Sequence, residues 1–227
     1  MKAATVRSFL CVLGAASALN GCSVPERSRA LDDARVTGST LAVQVCASCH
    51  GSIGNATMPT FPKLAGQQKS YLAAQLMAYR AHTRADPDAV SYMWGVAAHL
   101  SDAQIQDLAT YYAQAVPMAP AKPQAATASV IGTPPTAKSG SVETGQSIYQ
   151  QGVAARGIPA CAACHGVAGA GGDLAPRLAG QHVSYLIKQL NVFQNTDTRP
   201  AGVAMKAVTH DLTQADMRFV SQYISSL

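Results

Sequence analysis

The chain has 227 residues, a formal net charge of +5, 48% hydrophobic residues and only 13% charged ones. That length holds one medium or two small domains, and small domains bury a thin core, so a large apolar cofactor is expected to fill the middle. The basic residues are scattered, and Lys2 and Arg7 lie in a leader whose removal leaves +3, so nucleic-acid binding has little support.

Positions 1–22 read as an export signal. Lys2 and Arg7 make a positive start, and Phe9 to Leu19 is an apolar run too short for a standard transmembrane helix. The run ends in Leu19-Asn20-Gly21-Cys22, which resembles a bacterial lipoprotein box with Asn20 as an unusual occupant. Acylation of Cys22 would anchor the protein to a membrane without spanning it. The alternative is cleavage after Ala18, which leaves Cys22 as a free thiol. Residues 23–37 read as a polar tether, 38–115 as a first domain, 116–142 as a linker rich in Pro and Ala, and 143–227 as a second domain.

The two domains are copies. Cys46-Ala-Ser-Cys49-His50-Gly51 recurs as Cys161-Ala-Ala-Cys164-His165-Gly166, and Pro62-Lys-Leu64-Ala65-Gly66-Gln67 as Pro176-Arg-Leu178-Ala179-Gly180-Gln181. Tyr71-Leu72 with Gln75-Leu76 recurs as Tyr185-Leu186 with Gln189-Leu190, and Met93, Leu100 and Tyr111 as Met205, Leu212 and Tyr223. Tyr71 to Tyr79 has helical spacing, and Ser101 to Gln104 is a capping box opening a helix through Ile105, Leu108 and Tyr112. Thr213 to Asp216 repeats that start before Met217, Val220 and Ile224. No strand pattern stands out, so each half is expected to be three to five short helices joined by glycine-rich loops.

C-x-x-C-H is the pattern of covalent haem attachment. Cysteines three apart on one helical turn can both bond the two vinyl groups of one porphyrin, and the following histidine then meets the iron. Cys46, Cys49, Cys161 and Cys164 are the thioether candidates, and His50 and His165 the proximal ligands, giving two covalently bound haem c. The competing readings are a disulfide, a redox dithiol or half of a shared zinc site.

For the sixth position the repeat selects Met93 and Met205, the only internal methionines at equivalent positions. Met77 and Met217 read as helix-face packing, Met58 as loop packing and Met118 as linker, while His82, His99, His182 and His210 lack equivalents and read as polar surface or loop residues. With His and Met both supplied by the protein, no open position is left at the iron, and the thioether favours the ferrous state. The Gly169 to Gly172 loop reads as backbone lying close to the haem rather than as a nucleotide site.

On these repeated motifs the chain resembles the class I cytochromes c, and specifically the dihaem cytochrome c4 family, over about residues 38–115 and 143–227. The resemblance implies an all-α fold of two tandem class I cytochrome c domains. It implies that Pro62 and Pro176 lend their carbonyls to the proximal histidines. It also implies that Arg84 and Arg199 approach the haem propionates, with a solvated surface position as their alternative.

The function expected is that of a periplasmic single-electron carrier rather than an enzyme. It would run between a quinol-oxidising complex or dehydrogenase and a terminal oxidase or reductase. The alternatives are a dihaem peroxidase or sulfur-compound dehydrogenase, and a cytochrome subunit of a membrane dehydrogenase. The long linker and the anchor at Cys22 together predict domains of variable relative position on a membrane-tethered shuttle.

Overall fold

The computed structural model describes residues 31, 33–119, 138–173, 175–199 and 202–227, with side chains of 138–141 left aside. The export signal, Cys22, most of the tether and the middle of the linker lie outside these residues. Among the described residues the chain is helical; two isolated antiparallel bridges, Val153–Ile158 and Gly172–Ala175, are the ladder contacts present.

The first half opens with α1 (Gly38–Leu41), which runs through a π-helical stretch (Ala42–Cys46) into α2 (Ala47–His50). There follow α3 (Lys69–Arg80), a second π-helical stretch (Ala89–Met93) leading into α4 (Trp94–Ala97), and α5 (Asp102–Gln114). The second half has α6 (Lys138–Gln151), a 3-10 turn (Ala154–Arg156), α7 (Ala162–His165), α8 (Val183–Asn195), α9 (Val203–Thr209) and α10 (Gln214–Ser226). Each π-helical stretch carries a candidate haem-binding side chain, Cys46 in one and Met93 in the other.

Both predicted helix starts form. Ser101 and Gln104 complete a reciprocal capping box at α5, and Thr213 and Asp216 do the same at α10. Ile105, Leu108, Ala109 and Tyr112 then project from one face of α5 into the first core, with Leu41, Leu72, Ala73 and Leu100. Met217, Val220 and Ile224 of α10 do so in the second core, against Ile148, Tyr149 and Leu186.

Each half is framed by its first helix crossing its last one at a glycine. A Cβ on Gly38 would lie 2.6 Å from the backbone nitrogen of Leu108, and one on Gly145 would lie 2.1 Å from the carbonyl oxygen of Phe219. The two crossings correspond, yet the second half carries eight more residues between its glycine and its C-x-x-C-H motif. That surplus is the 3-10 turn and the Val153–Ile158 bridge.

Both segments expected outside the domains have a docked end among the described residues. The stretch read as a tether is docked at its end: Leu31 and Val36 pack on the first core, and Gln104 Nε2 donates to the carbonyls of Asp33 (3.0 Å) and Val36 (2.9 Å). The linker is likewise pinned at its start, where Asn55 Nδ2 donates to Val116 O (2.9 Å) and Asn55 Oδ1 accepts from the Met118 amide (2.8 Å).

The expectation of variable relative position is corrected, because the two halves are packed on one another. Ser184 donates to Pro59 O (3.2 Å), the Ala85 amide to Thr198 O (2.8 Å), and Lys188 pairs with Asp88. Residues on the domain surfaces make this interface, so the linker's composition carries no information about it. A longer connection adds only slowly to the entropy cost of closure.

Candidate functional site

In the first half the C-x-x-C-H motif ends a helix. α2 stops at His50 because Gly51 takes φ +75°, a conformation that suits glycine, and turns the chain away. Gly166 does the same after α7, at φ +77°. His50 is buried, and its Nδ1–H donates to the carbonyl of Pro62 at 2.9 Å. Burial pushes the imidazole pKa down, and the bond to Pro62 opposes this only in part. The ring is therefore neutral at physiological pH, with Nδ1 committed and the Nε2 lone pair available to a metal.

A cavity of about 360 Å³ opens beside this ring, lined by Cys46, Cys49, His50 and Met93 together with Phe61, Leu72, Leu76, Tyr79 and Leu100. One apolar space thus holds both predicted thioether donors and both predicted axial donors of the first half. Its wall continues into the second half through Leu178, Tyr185, Leu186 and Gln189.

The second half repeats the proximal arrangement. His165 is buried, its Nδ1–H donates to Pro176 O at 2.8 Å, and burial lowers its pKa. Cys161 packs against the second core beside Leu178. Met205 sits half-buried on α9, with its carbonyl accepting from the Thr209 hydroxyl at 2.8 Å.

The competing readings of the cysteines do not fit this geometry. All four thiols are unpaired, and no group of three His, Cys, Asp or Glu side chains is placed to share a metal ion among the described residues. Burial pushes both the Cys46 and the Cys161 thiol up to about 11, the reverse of what a redox-active or zinc-binding thiolate requires. The donor set instead suits a haem: paired thiols, an imidazole fixed in one tautomer, a thioether and an apolar enclosure.

The other methionines and histidines are placed elsewhere. Met217 is fully buried in the second core, Met58 and Met118 are exposed, and Met77 is exposed rather than packed as expected, because it lies on the outer side of α3. His82, with φ +57°, stacks on Trp94, and His99 and His210 are exposed. His182 is not a free surface residue: it is half-buried between the halves, its Nε2 2.9 Å from Ala56 O.

Arg84 and Arg199 are brought together, and the solvated alternative fails for both. Arg84 is 5% exposed; its Nε donates to Asp86 (2.8 Å), Nη1 to Gln75 Oε1 (2.7 Å) and Nη2 to Gln189 Oε1 (3.3 Å), and its guanidinium lies 4.7 Å over the Tyr79 ring. Arg199 reaches across from the second half to Tyr71 OH and Gln75 Oε1, both at 3.1 Å, and also bonds Gln189. Burial alone would raise the Tyr71 phenol, yet the two guanidinium groups outweigh it and bring its pKa below the usual value. Two cations, Arg84 and Arg199, therefore meet beside the cavity, and the carboxylate of Asp86 pairs with the first of them. Gln189 Nε2 is buried there without an acceptor, which leaves room in the bonding for an anionic group.

Sequence reasoning passed over the glutamines. Gln67, Gln75, Gln181 and Gln189 are all buried between the halves, and each is a member of a repeated motif. Their recurrence at matching positions was the available signal.

A family model for cytochrome c matches residues 36–115 and 142–227. Cytochrome c-552 of Acidithiobacillus ferridurans is 42% identical over 184 residues, covering 80% of this chain and 73% of that protein. The crystal structure of reduced recombinant cytochrome c4 from Pseudomonas stutzeri superposes with a TM-score of 0.69 at 32% identity, covering 84% of this chain and 96% of that one. A thiosulfate dehydrogenase electron acceptor of Thiomonas intermedia is 31% identical over 186 residues, covering 80% of this chain and 77% of that protein. With the motif, the cavity and the tandem helical domains, these likenesses establish an electron-transfer protein with two covalently bound haem c, and the chain belongs to the dihaem cytochrome c4 family.

Proposed function

We propose that each domain binds its haem by His/Met axial ligation, through His50 and Met93 in the first and His165 and Met205 in the second, with thioethers at Cys46, Cys49, Cys161 and Cys164. The observation that carries this is the enclosure of Cys46, Cys49, His50 and Met93 around one cavity, with His50 held by Pro62 O at 2.9 Å. The iron supplies a one-electron couple; the chain's part is to fill both axial positions, exclude water and keep the ligand set the same in both oxidation states. Pro62 and Pro176 fix the tautomer and raise the basicity of their histidines. Arg84, Arg199 and the unpaired amide of Gln189 would hold haem propionates, supplying cationic and N–H partners for a carboxylate.

The carrier works in the periplasm, its signal ending at Cys22, which is acylated and holds the protein at a membrane. Residues 38–115 and 143–227 form the two haem domains. Electrons come from a quinol-oxidising complex or a dehydrogenase and leave to a terminal oxidase or reductase. The likeness to the Thiomonas protein, named as an electron acceptor of thiosulfate dehydrogenase, favours a sulfur-compound dehydrogenase as one donor.

Optical spectra of the purified protein, oxidised and then reduced, test the ligation. The weak long-wavelength band of a methionine-ligated ferric haem is expected, halved in Met93→Ala or Met205→Ala and absent in the double variant. A high-spin component in the wild type would count against two closed haems and favour an enzyme. Mass spectrometry of the N-terminal peptide tests acylation, and a free Cys22 would remove the anchor.

A further inference from the structure

We propose that Gln67 and Gln181 are positioning residues that tune the haem of the opposite domain, each acting through the peptide group that holds that domain's proximal histidine. The inference rests on His50 and His165 being the proximal ligands.

The geometry is reciprocal. Gln181 Oε1 accepts from the Lys63 amide at 2.9 Å, and Gln181 Nε2 donates to Lys63 O at 3.0 Å. Gln67 Oε1 accepts from the Arg177 amide at 2.8 Å, and Gln67 Nε2 donates to Arg177 O at 2.9 Å. Each glutamine is 7% exposed, so these bonds are made out of water.

The Lys63 N–H and the Pro62 C=O belong to one peptide group. Its carbonyl accepts from His50 Nδ1–H at 2.9 Å while its amide donates to Gln181. The Pro176–Arg177 peptide likewise links His165 (2.8 Å) to Gln67 (2.8 Å). Hydrogen bonds in series polarise one another, by roughly 10–30% per bond. An acceptor on the amide therefore makes the carbonyl a stronger acceptor for the imidazole N–H. The histidine gains anionic character, becomes a stronger donor to iron and favours the ferric state. Gln181 thus lowers the potential of the haem in the first domain, and Gln67 that of the haem in the second. Undocking the domains would remove both effects at once.

The relay is unequal by construction. The Arg177 amide has a second acceptor, Gln68 Oε1 at 2.9 Å, whereas His182, which follows Gln181 as Gln68 follows Gln67, points its Nε2 to Ala56 O. Loss of Gln67 is therefore partly compensated and loss of Gln181 is not.

The test uses the full-length haem-loaded protein in the variants Gln181→Met, Gln67→Met and Ser184→Ala. Ser184 is a control, because its interface bond to Pro59 O touches neither histidine-bearing peptide. Potentials are measured by spectroelectrochemical titration, and the Nδ1–H resonances of His50 and His165 by NMR of the reduced, histidine-labelled protein. Gln181→Met is expected to raise the potential of the first haem and move the His50 Nδ1–H resonance upfield, leaving His165 alone. Gln67→Met should act on His165 and the second haem, by less, and Ser184→Ala on neither. Shifts confined to the substituted domain's own haem, or no shift with a docked solution-scattering profile, would overturn the proposal. Should Gln181→Met open the interface, Gln181→Glu decides. It gives up the bond to Lys63 O but puts a stronger acceptor on the Lys63 amide. With a docked solution-scattering profile the His50 resonance must then move downfield, and an upfield or absent shift refutes the relay. Failure of the axial assignment is separate, since it would appear in the wild type as a spectrum that lacks the methionine band or is not low-spin.

Discussion

Two glycine-to-alanine substitutions should change stability in opposite directions, because only one of the added methyl groups has space. At Gly145, where α6 crosses α10, the new Cβ would lie 2.1 Å from Phe219 O and 2.6 Å from Phe219 C. That is roughly 1 Å inside any tolerable contact, and both atoms are backbone, so the helices themselves must separate. Overpacking costs about 1–3 kcal/mol, and the upper end applies when no side chain can yield. Alanine recovers up to about 1 kcal/mol through its helix propensity. The net expectation is a loss of about 2 kcal/mol for Gly145→Ala. Gly95, on α4, has nothing within 4 Å of the same atom. Gly95→Ala should therefore gain about 0.5–1 kcal/mol. Guanidinium unfolding of the haem-loaded protein, followed by far-UV circular dichroism, reads both from the midpoint at constant slope. A Gly145→Ala protein as stable as Gly95→Ala would refute the close crossing of α6 and α10.

Two further expectations concern charge. Arg84 and Asp86 pair at 2.8 Å with side chains only 6% and 1% exposed. Asp86→Asn removes the carboxylate paired with the buried Arg84 cation and should cost up to about 3 kcal/mol. The loss is softened by the bonds from Arg84 to Gln75 and Gln189 and by the propionate that this arginine is proposed to hold. Asp102→Asn, which breaks an ion pair whose aspartate is 79% exposed, should cost under about 1 kcal/mol in the same assay. For Asp216, burial would raise the carboxyl pKa, but bonds from Arg156 and Thr213 outweigh it and hold the pKa below the usual carboxylate value. A folded pKa below the unfolded one stabilises the protein fully above the unfolded value, near 4, and the contribution is lost as pH falls through the folded value. Asp216→Asn should thus flatten the acid limb of stability against pH; an unchanged acid limb would show that Asp216 does not contribute to it.

Much of the site was legible because covalent chemistry leaves a local pattern. Two cysteines and a histidine must share one helical turn to meet one porphyrin, so Cys46, Cys49 and His50 are recognisable in any context. Duplication then singled out Met93 over Met77 as the candidate, since a ligand is expected to recur in both copies while a residue on an exposed helix face need not. Caps were readable for the same local reason: Ser101 and Gln104 bond to each other's backbone within four residues.

What stayed open or was missed depended on distant partners. Arg84 and Arg199 have the same local sequence character whether solvated or buried, and only the meeting of α3 with the opposite half decides. The small-residue crossings were missed because Gly38 and Gly145 stand at different distances from their haem motifs.

The sequence alone determined the tandem helical domains and two covalent haems, and it singled out His50 and His165 as candidate proximal ligands, because these follow from short-range spacing and from repetition. Only the tertiary structure decided that the two halves dock, and that Gln67 and Gln181 bond across more than a hundred residues to the peptides holding His165 and His50. Which surfaces meet depends on complementary shape and bonding in three dimensions, and a proline-rich linker neither encodes nor prevents that choice.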